Sequence, residues 1–184
     1  MIIGITGTPG TGKTSASALI GGVVDLNELI KTEGLYRGID EARDSLVADM
    51  DAVYDRVCGI ARGGSGNLVV EGHLSHHVSD SAIVLRLAPD ELERRLMARG
   101  YSGVKISENA LAEAVDVILV EAVDWCDMVY EIDTTGKTVE EVADAIRGIL
   151  DAIDRGIEID GYGPGSVDWL ESEASCLVNF DYSR

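Results

Sequence analysis

Five short apolar runs punctuate the chain, each closed by turn-forming or polar residues: Ile2–Thr6, then residues 23–26, 67–71, 82–87 and 128–132. Runs this short that do not alternate with polar positions fit strands buried on both faces. Between them the apolar spacing becomes helical. Lys13–Ile20 follows the first strand directly. Leu46, Met50, Val53, Val57 and Ile60 recur at helical spacing, which predicts one helix over residues 45–61. Residues 89–99 open with a proline in the first turn and acids behind it, a favoured helix start. Ser107 is placed to cap a long helix to about Trp125. Residues 138–141 (TVEE) form a capping box that opens a last helix to about Ile153. Strands alternating with helices predict an α/β fold of three layers, a five-stranded parallel sheet with helices on both faces.

The pattern stops at Asp154. Residues 161–165 (GYGPG) read as loop. Trp169, Leu170, Leu177, Val178 and Phe180 are available to dock a tail of residues 154–184 onto a domain of residues 1–153. No apolar run approaches the roughly 20 residues of a membrane span. The N-terminus lacks the basic stretch of a signal peptide, so the expectation is a soluble cytoplasmic protein. Cys58, Cys126 and Cys176 are scattered without a C-x-x-C and read as free thiols. His73, His76 and His77 lie close together. A structural zinc site takes four clustered ligands, and no cysteine is near them in sequence, so His76 and His77 read as surface residues.

Charge narrows the range of partners. With 15 basic and 33 acidic residues the net charge is −18. Such a surface repels a nucleic-acid backbone, which excludes DNA or RNA binding through a broad basic patch. It suits a basic protein partner; it equally suits solubility in concentrated salt, where charge repulsion is screened.

The chemistry is signalled at the first strand-to-helix turn. Residues 7–14 (GTPGTGKT) match G-x-x-x-x-G-K-[ST] in its required setting, after an apolar strand and before a helix. Glycines there let the backbone aim N–H groups at phosphate oxygens, and the helix N-terminus adds positive dipole. Lys13 is expected to reach the β- and γ-phosphates of ATP, and Thr14 to offer its hydroxyl to Mg²⁺. A GTPase would carry a guanine-reading N-K-x-D, which does not occur, and a helicase or AAA-type motor needs a longer chain. What remains is a small P-loop kinase.

Residue types elsewhere fit that class. Arg95 and Arg99 lie four apart and share a helix face, and arginine suits bidentate phosphate contact. Glu71 ends the strand expected beside the phosphate loop, where a carboxylate holds Mg²⁺ or its water; a strand-end acid can also simply face solvent. His73 could orient a water or the acceptor, or be an ordinary hydrogen-bonded loop histidine. Asp25, Asp40 and Asp49 could line the acceptor site or the surface. Tyr101 and Trp125 read as packing residues. Residues 100–106 form a short glycine-bearing lid without cysteine, so a zinc-bound lid is excluded.

Residues 92–96 (LERRL), Arg99-Gly100-Tyr101, residues 105–109 (KISEN), Glu113 and Glu121-Ala122 form a sharper pattern. Together with residues 7–14 and Glu71-Gly72-His73 it resembles the nuclear/archaeal adenylate kinase family (adenylate kinase isoenzyme 6, CINAP-like) over about residues 1–153. The resemblance implies a nucleoside monophosphate kinase fold and phosphate transfer from ATP to AMP and related monophosphates. It also implies ATPase activity and a role in small ribosomal subunit maturation through a platform ribosomal protein. By position it implies ATP contacts at Gly10, Gly12, Lys13, Thr14, Ser15, Arg99 and Lys137. The implied monophosphate-binding region is about residues 22–48, with Asp25, Tyr36, Asp40 and, just beyond, Asp49; Arg95 joins it as a substrate contact. The implied lid is about residues 98–108. Glu71 stands where eukaryotic members carry Asp. Catalysis would then rest on Lys13, Arg99, His73 and Glu71, with Thr14 and Glu71 at the metal. A small-metabolite kinase on the same fold is the alternative, and the family-like lid counts against it.

Overall fold

The computed structural model describes residues 1–40 and 45–170. Cys176 and the docking candidates Leu177, Val178 and Phe180 lie outside the described residues. Strand β1 (Ile2–Thr6) leads into helix α1 (Lys13–Ile20). Next come β2 (Val24–Asp25), α2 (Leu26–Glu33), a hairpin of β3 (Tyr36–Asp40) and β4 (Ser45–Ala48), and α3 (Met50–Gly63). Strand β5 (Leu68–Glu71) is joined to β6 (Ser81–Arg86) through a 3₁₀ turn at Ser75–Val78. The chain continues with α4 (Pro89–Ala98), α5 (Gly103–Ala114), α6 (Val117–Trp125), β7 (Met128–Asp133) and α7 (Val139–Arg155).

The main sheet runs β2-β5-β1-β6-β7, and all its pairs are parallel. The five apolar runs of the sequence are its five strands. On one face, Ile3, Ile5, Ile83, Leu85 and Ile132 pack against Ala16 of α1 and Val142, Ala143, Ile146 and Ile149 of α7. On the other, Ile2 and Val70 pack against Leu26, Ile30, Val53 and Val57 of α2 and α3. Both faces are covered, so this is the three-layer P-loop fold of the nucleoside monophosphate kinase type, with β1 central and the phosphate loop at its C-terminal edge.

Two helix boundaries differ from the sequence pattern. Residues 45–48 are not helical; they pair antiparallel with β3, Ile39 opposite Leu46. Asp49 then starts α3 by accepting the Ala52 amide at 3.4 Å. The i, i+4 spacing of Leu46 and Met50 imitated a helix turn, but pairing with β3 and the Asp49 cap override it. The long helix expected to Trp125 is two helices. Ser102, not Ser107, caps α5 by accepting the Lys105 amide, and Asp116, at φ 59°, breaks the run before α6. A non-glycine residue in that region is held by its surroundings. Here the Asp116 carboxylate pairs with Arg86.

Glycine is required where the 3₁₀ turn crosses β1. A Cβ on Gly4 would lie 2.6 Å from Ser79 Oγ and 3.1 Å from Ser75 backbone. The Ser75 hydroxyl donates to the Ile5 carbonyl at 3.0 Å, which seats the turn on the strand.

Arg86 is buried and organises the C-terminal end of β6, on the same edge of the sheet as the phosphate loop. Its Nε donates to Glu113 Oε1 at 2.7 Å, and its Nη atoms donate to Glu131, Asp116 and the Glu113 carbonyl. Burial acts to lower its pKa, but the three carboxylates outweigh burial and the net shift is upward. The segment after α7 joins this network. Trp169 is buried, donates Nε1 to Glu113 Oε1 at 3.2 Å, and its ring lies 5.9 Å from the guanidinium. The Ser166 amide and hydroxyl donate to Glu131 Oε2. Leu170 stays exposed.

Removing the cation leaves Glu113 and Glu131 buried together without a counter-charge. Arg86→Met should therefore cost about 3–5 kcal/mol in urea unfolding at neutral pH. A loss under about 1 kcal/mol would show that the carboxylates are not held by this pairing.

Candidate active site

The phosphate loop is shaped by its contacts with β6 and α5. Gly7 has φ 132°, and a Cβ there would fall 2.4 Å from the Leu85 carbonyl oxygen, so the chain turns where no side chain fits. Inside the loop, Thr11 closes a turn onto the Thr8 carbonyl through both its amide and its hydroxyl. Thr8 Oγ1 donates to Glu113 Oε2 at 2.5 Å. Lys13 Nζ donates to the Gly7 and Thr8 carbonyls at 2.6 and 3.0 Å. Burial pushes the Lys13 pKa down to about 8, against the pull of Glu71 and Glu113, and Arg99 adds to the lowering. The ammonium is thus held where an anion would satisfy it.

A cleft of about 320 Å³ opens over this loop. Gly10, Gly12, Lys13, Thr14 and Ser15 form its floor, Asn27, Glu71 and His73 one wall, and Arg99 and Tyr101 the other. Glu71 reaches it because β5 pairs directly with β1, Ile5 opposite Glu71. The Glu71 carboxylate is buried, and its Oε2 has no hydrogen-bond partner among the described residues. Burial raises its pKa; the Thr14 hydroxyl opposes this, Asp25 adds to it, and Lys13 opposes it. An orphaned carboxylate oxygen beside a threonine hydroxyl is an oxygen-donor set that fits Mg²⁺. Burial, then Lys13 and His77, lower the His73 pKa, so its imidazole is neutral at pH 7.

Arg95 and Lys137 lie elsewhere. With Arg99, Ser15 and Thr138 they line a second cleft of about 200 Å³ on the α4–α7 side of the loop. The sequence pattern assigned Arg95 to the acceptor. Arg95 instead lines the same cleft as Lys137, one of the implied ATP contacts, is paired with Glu91 and lies 3.5 Å from the Gly10 carbonyl. Asp25, Tyr36, Asp40 and Asp49 do not line the 320 Å³ cleft. Asp25 caps α2 through the Glu28 amide, Asp49 caps α3 and pairs with Arg37 at 2.7 Å, and Tyr36 and Asp40 lie on the β3–β4 hairpin. Carboxylates just before helices are taken by the exposed amides of the first turn.

The histidines depart most from expectation. His76 is not a surface residue; it is completely buried, with Nδ1 3.0 Å from Thr6 Oγ1. His77 packs on the His76 ring and meets Trp125 edge-on at 5.0 Å. Trp125 is 63% exposed rather than a core packing residue, and Tyr101 lines the cleft. Asn27 and Glu113 are site residues that residue-type reasoning missed. Glu113 stood only in the family-like run, and nothing in its local pattern signals burial under Thr8.

Comparison with known proteins agrees with this architecture. A family model described as an AAA domain matches residues 3–116, from β1 through α5, so the length that set aside an AAA-type motor does not set aside an AAA-type domain. A protein of Methanosarcina acetivorans named "Putative adenylate kinase" is 48% identical over 94% of this chain and 99% of its own length. One of the same name from Thermococcus gammatolerans is 42% identical, covering 93% of this chain and 94% of its own. Shikimate kinase from Bacteroides thetaiotaomicron superposes with TM-score 0.52 at 16% identity, covering 82% of this chain and 98% of that one, a likeness of fold alone. No helix among the described residues is long and apolar enough to cross a membrane. Identity of this extent over nearly the whole length shows that the chain belongs to the family of archaeal relatives carrying that adenylate kinase name, built on an AAA-domain P-loop core.

Proposed function

We propose that the chain is an ATP- and Mg²⁺-dependent nucleoside monophosphate kinase that converts ATP and AMP to two ADP. One observation carries the reading: Lys13, Arg99, Glu71 and His73 line a single cleft over the phosphate loop. Phosphoryl transfer asks mainly for positioning and charge neutralisation, and this set supplies both. Lys13 exchanges its two loop carbonyls for the β- and γ-phosphates. Gly10, Gly12, Thr14 and Ser15 offer backbone or hydroxyl groups to the same oxygens. Thr14 and Glu71 would hold Mg²⁺, which supplies charge neutralisation across the β- and γ-phosphates. Arg99, at the end of α4, neutralises charge that develops on the transferred group. His73, neutral, orients the acceptor phosphate. An oxygen of AMP attacks the γ-phosphorus as its bond to the β–γ bridging oxygen breaks, and ADP leaves. Arg95 and Lys137 form the ATP side. The hairpin of Tyr36 and Asp40, with Asp49 just after it and Asp25 at the start of α2, forms the acceptor side. Residues 98–108, the end of α4, the turn after it and the first turns of α5, act as the lid. With water in place of AMP the same groups support ATP hydrolysis.

The kinship named above supports AMP as the acceptor. The finer resemblance to the isoenzyme 6 group extends the proposal to small ribosomal subunit maturation. A second reading, an ATPase that assembles a basic ribosomal protein with incidental kinase turnover, is favoured by the net charge of −18. A coupled assay of ADP formation from ATP decides between them, with AMP, dAMP, CMP, UMP or no acceptor. AMP should give the fastest rate, with dAMP next. If no monophosphate exceeds the rate without acceptor, the kinase reading fails and an ATPase remains.

Two substitutions test the roles. Lys13→Ala should weaken ATP binding and lower turnover by at least about a hundredfold, the order lost when a fixed charge-stabilising donor is removed; near-normal turnover would overturn the phosphate-loop assignment. Arg99→Lys keeps the charge and loses the planar fork, so kcat should fall more than ATP affinity. A raised KM with unchanged kcat would make Arg99 a ground-state binding residue.

A further inference from the structure

We propose that His76, His77 and Glu121 form a binding site for one transition-metal dication of the Zn²⁺ type, outside the phosphoryl-transfer cleft. The ligand atoms of these three side chains all lie within 4.8 Å of one another. His76 Nε2 and Glu121 Oε2 are 3.2 Å apart. In a tetrahedral zinc site with bonds of about 2.0–2.2 Å, neighbouring ligand atoms are separated by about 3.4 Å. The donor set, two imidazole nitrogens and one carboxylate oxygen, suits zinc and its neighbours rather than Mg²⁺, which favours oxygen alone.

The second observation is a polar atom left without a partner. His76 is completely buried, yet its Nε2 makes no hydrogen bond among the described residues. Glu121 is near enough but off the line an Nε2–H bond requires. The other ring nitrogen explains why. Thr6 Oγ1 has the His73 carbonyl in reach as its acceptor at 3.3 Å, so its lone pairs are left to take a proton from His76 Nδ1 at 3.0 Å. With the proton on Nδ1, the Nε2 lone pair faces a carboxylate, acceptor against acceptor. A metal ion between them satisfies both, and the Nδ1–H···Oγ1 bond to Thr6 orients the ring as supporting hydrogen bonds to metal-bound imidazoles do. Burial, then His77 and His73, push the His76 pKa down to about 3, so the ring is neutral and its lone pair free at neutral pH. His77 and Glu121 are partly exposed, so both can rotate onto an ion. His77 also lines a surface cavity of about 530 Å³ with Asp51, Asp80 and Asp127, an acidic route in for a cation.

Such an ion clamps the 3₁₀ turn to α6, and through Thr6 it stiffens the end of the strand that feeds the phosphate loop. The test uses the full chain without a polyhistidine tag, stripped with chelator and held in excess Mg²⁺ and ADP to saturate the other cleft. Calorimetric titration with Zn²⁺ should show one ion per chain, with a melting temperature that rises on binding. Co²⁺ should quench the fluorescence of Trp125, whose ring is 5.0 Å from His77, and that quenching should vanish in Trp125→Phe. His77→Ala and Glu121→Gln, both at accessible positions, should each weaken Zn²⁺ by at least about tenfold, while His73→Ala leaves it unchanged. The absence of stoichiometric Zn²⁺ binding, or affinity unchanged in both His77→Ala and Glu121→Gln, would overturn the site and leave His76 and Glu121 an ordinary pair.

Discussion

The buried pairing of Arg86 with Glu113, Glu131 and Asp116 is the constraint on which the rest of the molecule depends. Burying a guanidinium costs several kcal/mol unless its donors are met, and here α5, the α5–α6 junction and β7 each supply a carboxylate to Arg86 at the end of β6. The arrangement fixes the relative placement of those elements more tightly than apolar packing alone, because charged donors tolerate little misalignment. It also explains the left-handed conformation of Asp116, since a regular helix through that residue would carry its carboxylate away from Arg86. The segment to Trp169 is tied in at the same point.

Glu113 carries this constraint into the active site. One of its oxygens is held by Arg86 and Trp169, and the other receives the Thr8 hydroxyl. The phosphate loop is thus anchored from beneath by a carboxylate that cannot rotate. Above it, Lys13 has a depressed pKa and Glu71 a raised one, both chiefly through burial. Groups of opposite sign that are each disfavoured by burial, facing one cleft, are the signature of a site shaped for ligand rather than for stability. A triphosphate with its metal answers both at once.

The segment from Glu71 to Val78 serves two sides of β1. Glu71 and His73 face the phosphate loop; past Leu74 the chain turns back over Gly4, and His76 and His77 meet α6. Thr6 stands between them, in contact with the His73 carbonyl and with His76 Nδ1. The absence of a side chain at Gly4 makes the tight crossing feasible, and the Ser75 and Ser79 hydroxyls tie it down by donating to the Ile5 and Ser75 carbonyls.

Local pattern was enough for the five strands, for α1 and α4, and for the capping box of α7, because each is encoded by contiguous residues: an apolar run, a glycine-rich turn, a proline start, a Thr-to-Glu reciprocal cap. The phosphate loop and the proximity of Glu71 followed from the same local rules, since a parallel sheet brings strand ends together. Tertiary structure alone decided the rest. Residues 45–48 became a strand because β3 was there to pair with, and residue 116 broke a helix because Arg86 needed a third carboxylate. Asp25 and Asp49 are taken by their own helix amides, while Arg95 lines a cleft with Arg99, as their spacing suggested, but beside Lys137. His76 read as a surface residue and Glu113 only as a position in the family-like run, yet both are buried, because burial is set by what packs over a residue and 45 or 105 positions of chain separate them from the partners that matter.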